Sequence, residues 1–323
     1  MRDLWYSLHH MSVFSAIFPV VTIAALGYAS RRYNWLASGE AEALERIAFN
    51  CLIPCLLFLG TATAEFPPDV DWHFLFAFYF VVLLVYLLGM GIGRLVFGYG
   101  IRELSVFGMG GAYANVTVLG VPITLELLGD KALVPMFLII SIHNLLIFSF
   151  GTVLAGSRNE DGRTLLAHLR RVVQDMLLNP ISGSLIAGAM VNFLGVPLFA
   201  PLQATLELLG RAAIPGAVFA LGAALTRYHV RGAISAATTM VLLKLLVMPG
   251  LMLIMMRFVF AIREDWLQTA VVLACMPTGI SVYVFSRRYQ CGETAAAGAI
   301  VLSSLTAAIA ISLFSWLLGV QVA

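Results

Sequence analysis

Long apolar stretches alternate with short polar connections along almost the whole chain. A helix that crosses the hydrocarbon core of a bilayer needs about 20 mainly apolar residues. Stretches of this kind occur ten times, and we number them as predicted spans one to ten. They are Met11–Ala29, Leu44–Ala62, His73–Ile92, Ser105–Leu128, Ala132–Leu154, Leu178–Leu198, Leu202–Leu225, Ala233–Val259, Leu267–Phe285 and Thr294–Val320. The pattern predicts an all-α integral membrane protein with ten transmembrane helices.

The composition excludes a soluble fold. Apolar residues make up 61% of the chain and charged residues 11%, against about 45–50% and about 25% in a soluble globular domain. Too few polar side chains are therefore available to cover a surface that faces water. A net charge of +2 gives no basic surface for nucleic acid. The four cysteines follow no disulfide pattern, and nucleotide-binding, zinc-protease and redox motifs are absent. We therefore expect no metal, no cofactor and no enzymatic activity.

Basic residues predict the orientation, because the cytoplasmic connections of membrane proteins are enriched in Lys and Arg. With ten spans, successive connections alternate between the two membrane faces. One face carries Arg31, Arg32, Arg94, Arg102, Arg158, Arg163, Arg170, Arg171, Arg227, Arg231, Arg287 and Arg288, whereas the other carries only Arg2, Lys131, Arg257 and Arg263. We expect a multi-pass protein of the cell inner (plasma) membrane, with both termini outside and the longest connection in the cytoplasm.

The spacing of prolines indicates an internal repeat. Proline is costly inside a helix, so its positions carry structural information. Prolines lie in spans one, two and four and again in spans six, seven and nine, namely Pro19, Pro54, Pro122, Pro180, Pro215 and Pro277. The intervals are 35 and 68 residues in the first half and 35 and 62 in the second. The chain thus divides into residues 1–155 and 177–323, joined by a linker at 156–176. Five is an odd number of spans, so the second half is inverted in the membrane, as in many secondary transporters.

Spans four and nine each carry a helix-breaking motif. Span four contains Gly120-Val-Pro122, and span nine contains Pro277-Thr-Gly279. We expect both motifs to interrupt their helices near mid-membrane, with Pro122 and Pro277 as the first residues of new half-helices. The amide end of a half-helix carries partial positive charge and free N–H donors. The pair therefore predicts a central site for an anion, with simple proline kinks as the alternative.

Several groups of residues together carry a resemblance to a known family. They are Asn115 with Leu119-Gly-Val-Pro122, Leu178-Asn-Pro180, Ala212-Ala-Ile-Pro215 with Leu221-Gly222, and Met276-Pro-Thr-Gly-Ile-Ser-Val-Tyr283. In order and spacing they resemble the auxin efflux carrier family, whose bacterial members include malonate and malate permeases. The resemblance covers nearly the whole chain, and the short central linker fits the bacterial branch.

The resemblance implies a specific architecture. It implies ten helices in two inverted five-helix repeats, similar to the bile-acid symporters and sodium/proton antiporters, with broken helices four and nine crossing beside the substrate. Helices one, two, six and seven would form a scaffold, and helices three to five and eight to ten a moving transport unit. It also implies a homodimer formed through the scaffold.

Polar residues within the spans are the candidates for the site. We expect the central substrate site to include Asn115, Gly120, Pro122, Pro277, Thr278 and Ser281, with Asn50 and Asn144 as further substrate contacts. The candidates for charge balance or coupling are Lys244, His143 and Arg211. Lys244 could serve the substrate, act as a structural cation at the broken helices, or snorkel. Arg211 could bind a carboxylate or pair with Glu207, and His143 could relay a proton or pack in the core.

The sequence therefore predicts a secondary active transporter of a small organic anion that works by alternating access. The substrate would be a mono- or dicarboxylate such as malonate or malate, or an auxin-like acid. A sodium-coupled symporter of the bile-acid type is the alternative in the same class, although no Asp or Glu lies near the middle of a span. An intramembrane enzyme is the alternative from another class, and it would depend on His143 with a serine such as Ser141. The expected partners are the anion, the lipid bilayer, a coupling proton if transport is proton-driven, and a second copy of the chain.

Overall fold

The structure is a computed structural model that describes residues 13–63, 72–155, 180–226 and 233–320. Within these ranges every regular element is a helix, and β-structure is limited to an isolated bridge between Ala114 and Thr278. The predicted linker at 156–176 lies outside the described residues. The all-α membrane class that the apolar pattern predicts is confirmed.

The described residues form 14 α-helices. They are α1 (Val13–Arg32), α2 (Ser38–Ile47), α3 (Ile53–Ala62), α4 (Trp72–Phe97), α5 (Ile101–Ala112), α6 (Val121–Leu128), α7 (Leu133–Ala155), α8 (Pro180–Phe193), α9 (Ala200–Leu225), α10 (Ile234–Leu242), α11 (Met248–Ile254), α12 (Glu264–Ala274), α13 (Ser281–Arg288) and α14 (Glu293–Leu317).

Six continuous helical stretches in the described ranges are long and apolar enough to cross a bilayer. They are Gly39–Ala62, Trp72–Phe97, Val121–Ala155, Ala200–Leu225, Ile234–Val259 and Glu293–Leu317. Both halves of predicted span nine and the first half of span four are too short to qualify by length, because each span is interrupted, whereas the second half of span four is continuous with α7. The full count of ten spans stays a prediction.

Three helices widen into a π-helical turn just before a proline. The turns Ala48–Leu52, Val116–Gly120 and Leu243–Val247 end two residues before Pro54, Pro122 and Pro249. Proline has no N–H, and its ring collides with the carbonyl one turn earlier. A wider turn moves that carbonyl aside, so the helix continues past the proline.

Two pairs of helices, which we call the scaffold pairs, pack at very short range through glycine. α1 lies along α9, and α8 lies along α3. A Cβ added to Gly27 would fall 2.0 Å from the carbonyl oxygen of Phe219, and a Cβ added to Gly188 would fall 2.5 Å from that of Phe58. Only glycine lets two helix backbones approach so closely. Gly188 follows Gly27 by 161 positions, and Phe219 follows Phe58 by the same number, which is the separation that the proline spacing predicts.

α2 packs on α9, and the helices α4–α7 and α10–α14 form a second group, which contains both interrupted spans. In this group α4 packs on α5, α5 on α7, α10 on α14, and α11 on α12. The group meets the scaffold pairs where α1 contacts α6 and α14, and where α7 contacts α3 and α8. The second half of the first interrupted span, α6, therefore lies at the boundary between the two groups.

Candidate functional site

Two unwound backbone segments cross in the interior of the second group. The Asn115 N–H donates to the Pro277 carbonyl oxygen at 2.8 Å, and the Gly279 N–H donates to the Tyr113 carbonyl oxygen at 3.1 Å. These two bonds flank the antiparallel bridge between Ala114 and Thr278. Each segment therefore satisfies backbone groups of the other. Such mutual pairing is needed where the interior of a membrane protein offers no bulk water.

The first interruption lies earlier in its helix than the sequence predicts. Residues 113–115 are non-helical, and the helix resumes with the π turn Val116–Gly120. The sequence predicts Gly120 and Pro122 at the break, but both lie within the resumed helix. The π turn accommodates Pro122, which is the second residue of α6 and needs no N–H there. The Gly120 N–H donates to the Asn115 carbonyl at 3.0 Å.

The second interruption contains its proline. α12 ends at Ala274 and α13 begins at Ser281, so Pro277 lies within the unwound segment. Pro277 is therefore not the first residue of the new half-helix, as the sequence predicts, but lies four residues before it. Ala114 and Thr278 pair with each other and are therefore equivalent positions of the two interrupted spans. The residue before each of them is Tyr113 in the first span and Pro277 in the second, so Pro277 is equivalent to Tyr113 and not to Pro122.

Thr278 is held from two sides. Its N–H lies in the unwound segment and donates to Oγ of Ser303 on α14 at 3.0 Å. Its hydroxyl donates to the Gly110 carbonyl of α5 at 2.9 Å. The second unwound segment is thereby fixed against both neighbouring helices.

Lys244 lies next to the second interruption. Its side chain is fully buried, and its Nζ donates to the Ala274 carbonyl oxygen at 2.5 Å. Ala274 is the last residue of α12, where carbonyls lack intrahelical partners and carry partial negative charge. Among the alternatives left open by the sequence, this contact corresponds to a cation at the broken helix. The side chain does not snorkel.

A tyrosine that the sequence does not single out connects three elements of the site. The Tyr113 hydroxyl donates to Oδ1 of Asn144 on α7. The side chain of Ser281, at the start of α13, interacts with the same phenol oxygen. Tyr113 is buried, Ser281 is partly exposed and Asn144 is exposed. Two predicted site residues thus meet at an accessible edge of the crossing.

His143 is fully buried beside the crossing. Its ring centroid lies 4.9 Å from that of Tyr113 and 6.1 Å from that of Tyr79. Neither ring nitrogen makes a hydrogen bond of acceptable geometry, although the ring lies beside the Ala114 backbone and within electrostatic range of Lys244. The crossing therefore has two buried nitrogen-bearing side chains close to it.

Asn50 and Arg211 lie away from the crossing. Both are exposed, Asn50 in the π turn before α3 and Arg211 in α9. Asn50 lines a surface groove with Glu42, Glu45, Arg46 and Phe49. Glu207, the predicted partner of Arg211, instead accepts a hydrogen bond from Nε2 of Gln203 at 3.1 Å. The structure does not bring Asn50 or Arg211 to the central site.

Basic side chains, and no acidic ones, are buried beside the crossing in the described part of the chain. In the described ranges, the buried polar and charged side chains include Lys244 and His143 but no Asp or Glu. The same ranges hold no group of three His, Cys, Asp or Glu residues that could hold a metal ion. The amide ends of the resumed half-helices add partial positive charge. The arrangement suits an anion better than a metal cation.

Comparisons with known proteins identify the family of the chain. The sequence profile described as "Membrane transport protein" matches residues 12–315. A "Putative malonate transporter" of Rhizobium meliloti (strain 1021) is 27% identical over 296 residues, which cover 90% of each chain. An "Uncharacterized transporter" of Methanothermobacter thermautotrophicus (strain Delta H) is 22% identical over 306 residues, which cover 93% of this chain and 96% of the relative. The chain therefore belongs to the membrane transport protein family, which is the auxin efflux carrier family.

Proposed function

We propose that the protein is a secondary active transporter that carries a small organic anion across the membrane by alternating access. The substrate class is a mono- or dicarboxylate such as malonate or malate, or an auxin-like acid. The observation that carries this proposal is the crossing, where two interrupted helices pair and Lys244 is buried against the Ala274 carbonyl. Their amide ends and the ammonium group favour negative charge, and no acidic side chain among the described residues is buried there to oppose it.

The proposed architecture is ten helices in two inverted repeats, with helices one, two, six and seven as the scaffold. Equivalent contacts in the scaffold pairs support it. A Cβ on Gly222 would fall 1.9 Å from the Ala24 carbonyl oxygen. The position 161 residues before Gly222 is Thr61, whose hydroxyl lies 3.4 Å from the carbonyl oxygen of Leu185, the repeat equivalent of Ala24.

Transport would move the second group against the scaffold. In this conformation Asn144 and Ser281 are accessible, whereas Asn115 and Thr278 are buried, so the crossing is approached from one edge. A movement at the boundary formed by α6 would expose the other edge. The scaffold would remain fixed, and a homodimer formed through it would hold the scaffold in the membrane. His143 and Lys244 are the proposed coupling residues if a proton moves with the substrate.

Malonate is the first substrate to test, since a relative that aligns over most of the chain carries the name of a malonate transporter. A ligand that binds the folded state raises its melting temperature. A thermal-shift panel on the purified protein should therefore show stabilisation by malonate or a related carboxylate. No shift with any carboxylate, together with a shift on adding an organic cation, would refute the proposal.

The two alternatives receive less support. A sodium-coupled symporter would hold its cation with acidic side chains, and uptake that is unchanged when choline replaces sodium would exclude it. An intramembrane enzyme based on His143 would need a serine directed at the imidazole. The hydroxyl of Ser141 instead donates to the Phe137 carbonyl at 2.8 Å.

A further inference from the structure

We infer that Tyr113 positions a substrate-binding amide: together with Ser281 it holds Asn144, whose nitrogen binds a carboxylate group of the substrate at the accessible edge of the crossing. This inference rests on the proposed transport of an organic anion, and it names the groups that recognise the anion. We call these three residues the donor cluster.

Tyr113 orients the amide of Asn144. An asparagine side chain has one acceptor, its carbonyl oxygen, and two donors on its nitrogen. The Tyr113 hydroxyl donates to Oδ1, so the acceptor of Asn144 is already used. The nitrogen with its two donors remains for a ligand, and Asn144 is exposed. A carboxylate, which only accepts hydrogen bonds, matches this side of the amide.

Ser281 holds the phenol from the other side. It is the first residue of α13, and its side chain interacts with the Tyr113 oxygen. The phenol donates its hydrogen to Asn144, so its oxygen accepts from the Ser281 hydroxyl. The nitrogen of Asn144 is the donor of the three side chains that faces a ligand, and an anion is the ligand that can accept from it.

The phenol has little freedom to move. Its ring packs between His143, at 4.9 Å between centroids, and Phe148, at 5.7 Å and nearly perpendicular. It also lies over Gly279, where an added Cβ would fall 2.4 Å from the ring. Because the Tyr113 carbonyl is bonded to the Gly279 N–H, a shift of the phenol requires a shift of the crossing. Recognition of the substrate is thus linked to the element on which transport depends.

The donor cluster contains no charged side chain, so it selects by hydrogen-bond polarity rather than by charge alone. Malonamide has nearly the shape of malonate, but each of its amide groups carries an N–H donor group in place of one of the two carboxylate oxygens, and it has no charge. Facing the nitrogen of Asn144, such an N–H group would remain unpaired. We expect malonamide not to compete with malonate for uptake.

Uptake of labelled malonate into proteoliposomes tests the inference. Tyr113→Phe removes the hydroxyl that orients the Asn144 amide. The amide nitrogen then no longer faces the ligand, so the KM should rise about tenfold, the effect of losing one hydrogen bond to a charged ligand. The maximal rate of this variant should stay within about twofold, because the ring still packs on Gly279. The matched control is Tyr86→Phe, which removes another buried hydroxyl that bonds to the Ser105 carbonyl and hydroxyl at 2.8 and 2.9 Å. Its KM should equal that of the wild type.

A second variant reverses the polarity of the cluster. Asn144→Asp keeps an oxygen for the Tyr113 hydroxyl but replaces the two donors with a negative charge, so binding of malonate should be lost. Wild-type KM values in both Tyr113→Phe and Asn144→Asp would overturn the inference while leaving the proposed function intact. A wild-type protein that neither binds nor transports malonate, malate or another small carboxylate would instead overturn the proposed function. If Tyr113→Phe does not fold, Asn144→Asp tests the inference by itself. The side chain of Asn144 is exposed, so this substitution should leave folding intact.

Discussion

The scaffold pairs and the crossing hold the chain together in opposite ways. In the scaffold pairs, intact helices touch through glycine, and carbonyl oxygens occupy the space that a side chain would fill. At the crossing, the helices are open, and separate hydrogen bonds satisfy the freed groups. Close packing tolerates no added volume, whereas a hydrogen-bonded crossing fails when a donor is lost or a ring is displaced. Substitutions in the scaffold pairs should therefore affect folding, and those at the crossing should affect transport first.

The largest effect is expected in the scaffold pairs. Gly27→Leu and Gly188→Leu each force a side chain into the backbone of the partner helix, at a cost of about 3 kcal/mol or more. Both variants should lose the monodisperse folded protein in size-exclusion chromatography of detergent extracts. Gly39→Leu is the control, because a Cβ at Gly39 meets nothing within 4 Å. A large loss in only one of the two variants would contradict the equivalence of the repeats.

At the crossing, Gly279→Ala should impair transport more than folding. The added Cβ would fall 2.4 Å from the Tyr113 ring and 3.5 Å from the Ala114 carbonyl oxygen, so the ring and the crossing shift, whereas the glycine contacts of the scaffold pairs are unchanged. Displacement of a binding group by about 1 Å reduces function by about 10- to 100-fold. Malonate uptake should fall in that range while the melting temperature changes by only a few degrees. Normal malonate uptake in Gly279→Ala would show that the position of Tyr113 does not affect substrate binding.

Lys244→Met distinguishes a structural cation from one that only balances the charge of the substrate. It removes the donor to the Ala274 carbonyl, which should lower the free energy of unfolding by about 1.5–3 kcal/mol. Lys131→Met changes the other lysine of the chain, which is exposed in the turn before α7, and should change stability by less than about 0.5 kcal/mol. An unchanged melting temperature in Lys244→Met, with loss of the malonate-induced shift, would assign Lys244 to the substrate alone.

The smallest effect concerns the turn between α13 and α14, outside both regions. Burial, with Glu103 and Glu293 nearby, raises the pKa of the Cys291 thiol to about 11, against an opposing effect of Arg102. A raised pKa leaves little thiolate at neutral pH, so alkylation should be slow at pH 7 and accelerate as the pH approaches 11. Iodoacetamide labelling of a variant in which Cys51, Cys55 and Cys275 are alanine measures this rate. A rate at pH 7 equal to that of free glutathione would show that the turn is open.

The sequence predicted the helices and the spans that are interrupted, because apolar length and proline are strong local signals. It also predicted the separation of 161 residues that relates Gly27 to Gly188, and the glycine contacts of the scaffold pairs agree with it. The position of the first break was wrong. Gly120-Val-Pro122 would break a regular α-helix, but a π turn accommodates the proline. The helix is interrupted at Tyr113–Asn115 instead.

The contacts that complete the site could not be predicted from residue patterns. The partner of Lys244 is a backbone carbonyl 30 residues away, which becomes available only because α12 ends at Ala274. Tyr113 is one of 10 tyrosines in an aromatic-rich chain, and its importance follows from the crossing that turns its hydroxyl toward Asn144. The roles of all these residues in transport stay predictions.

Uptake of radiolabelled malonate by proteoliposomes tests the central claim most directly. We expect saturable malonate uptake above that of protein-free liposomes, and inhibition of this uptake by unlabelled malonate. Uptake should be strongly reduced in Gly279→Ala and unchanged in Lys131→Met. If proteoliposomes made from monodisperse wild-type protein take up neither malonate nor malate faster than protein-free liposomes, this result would contradict the proposed transport of a small organic anion.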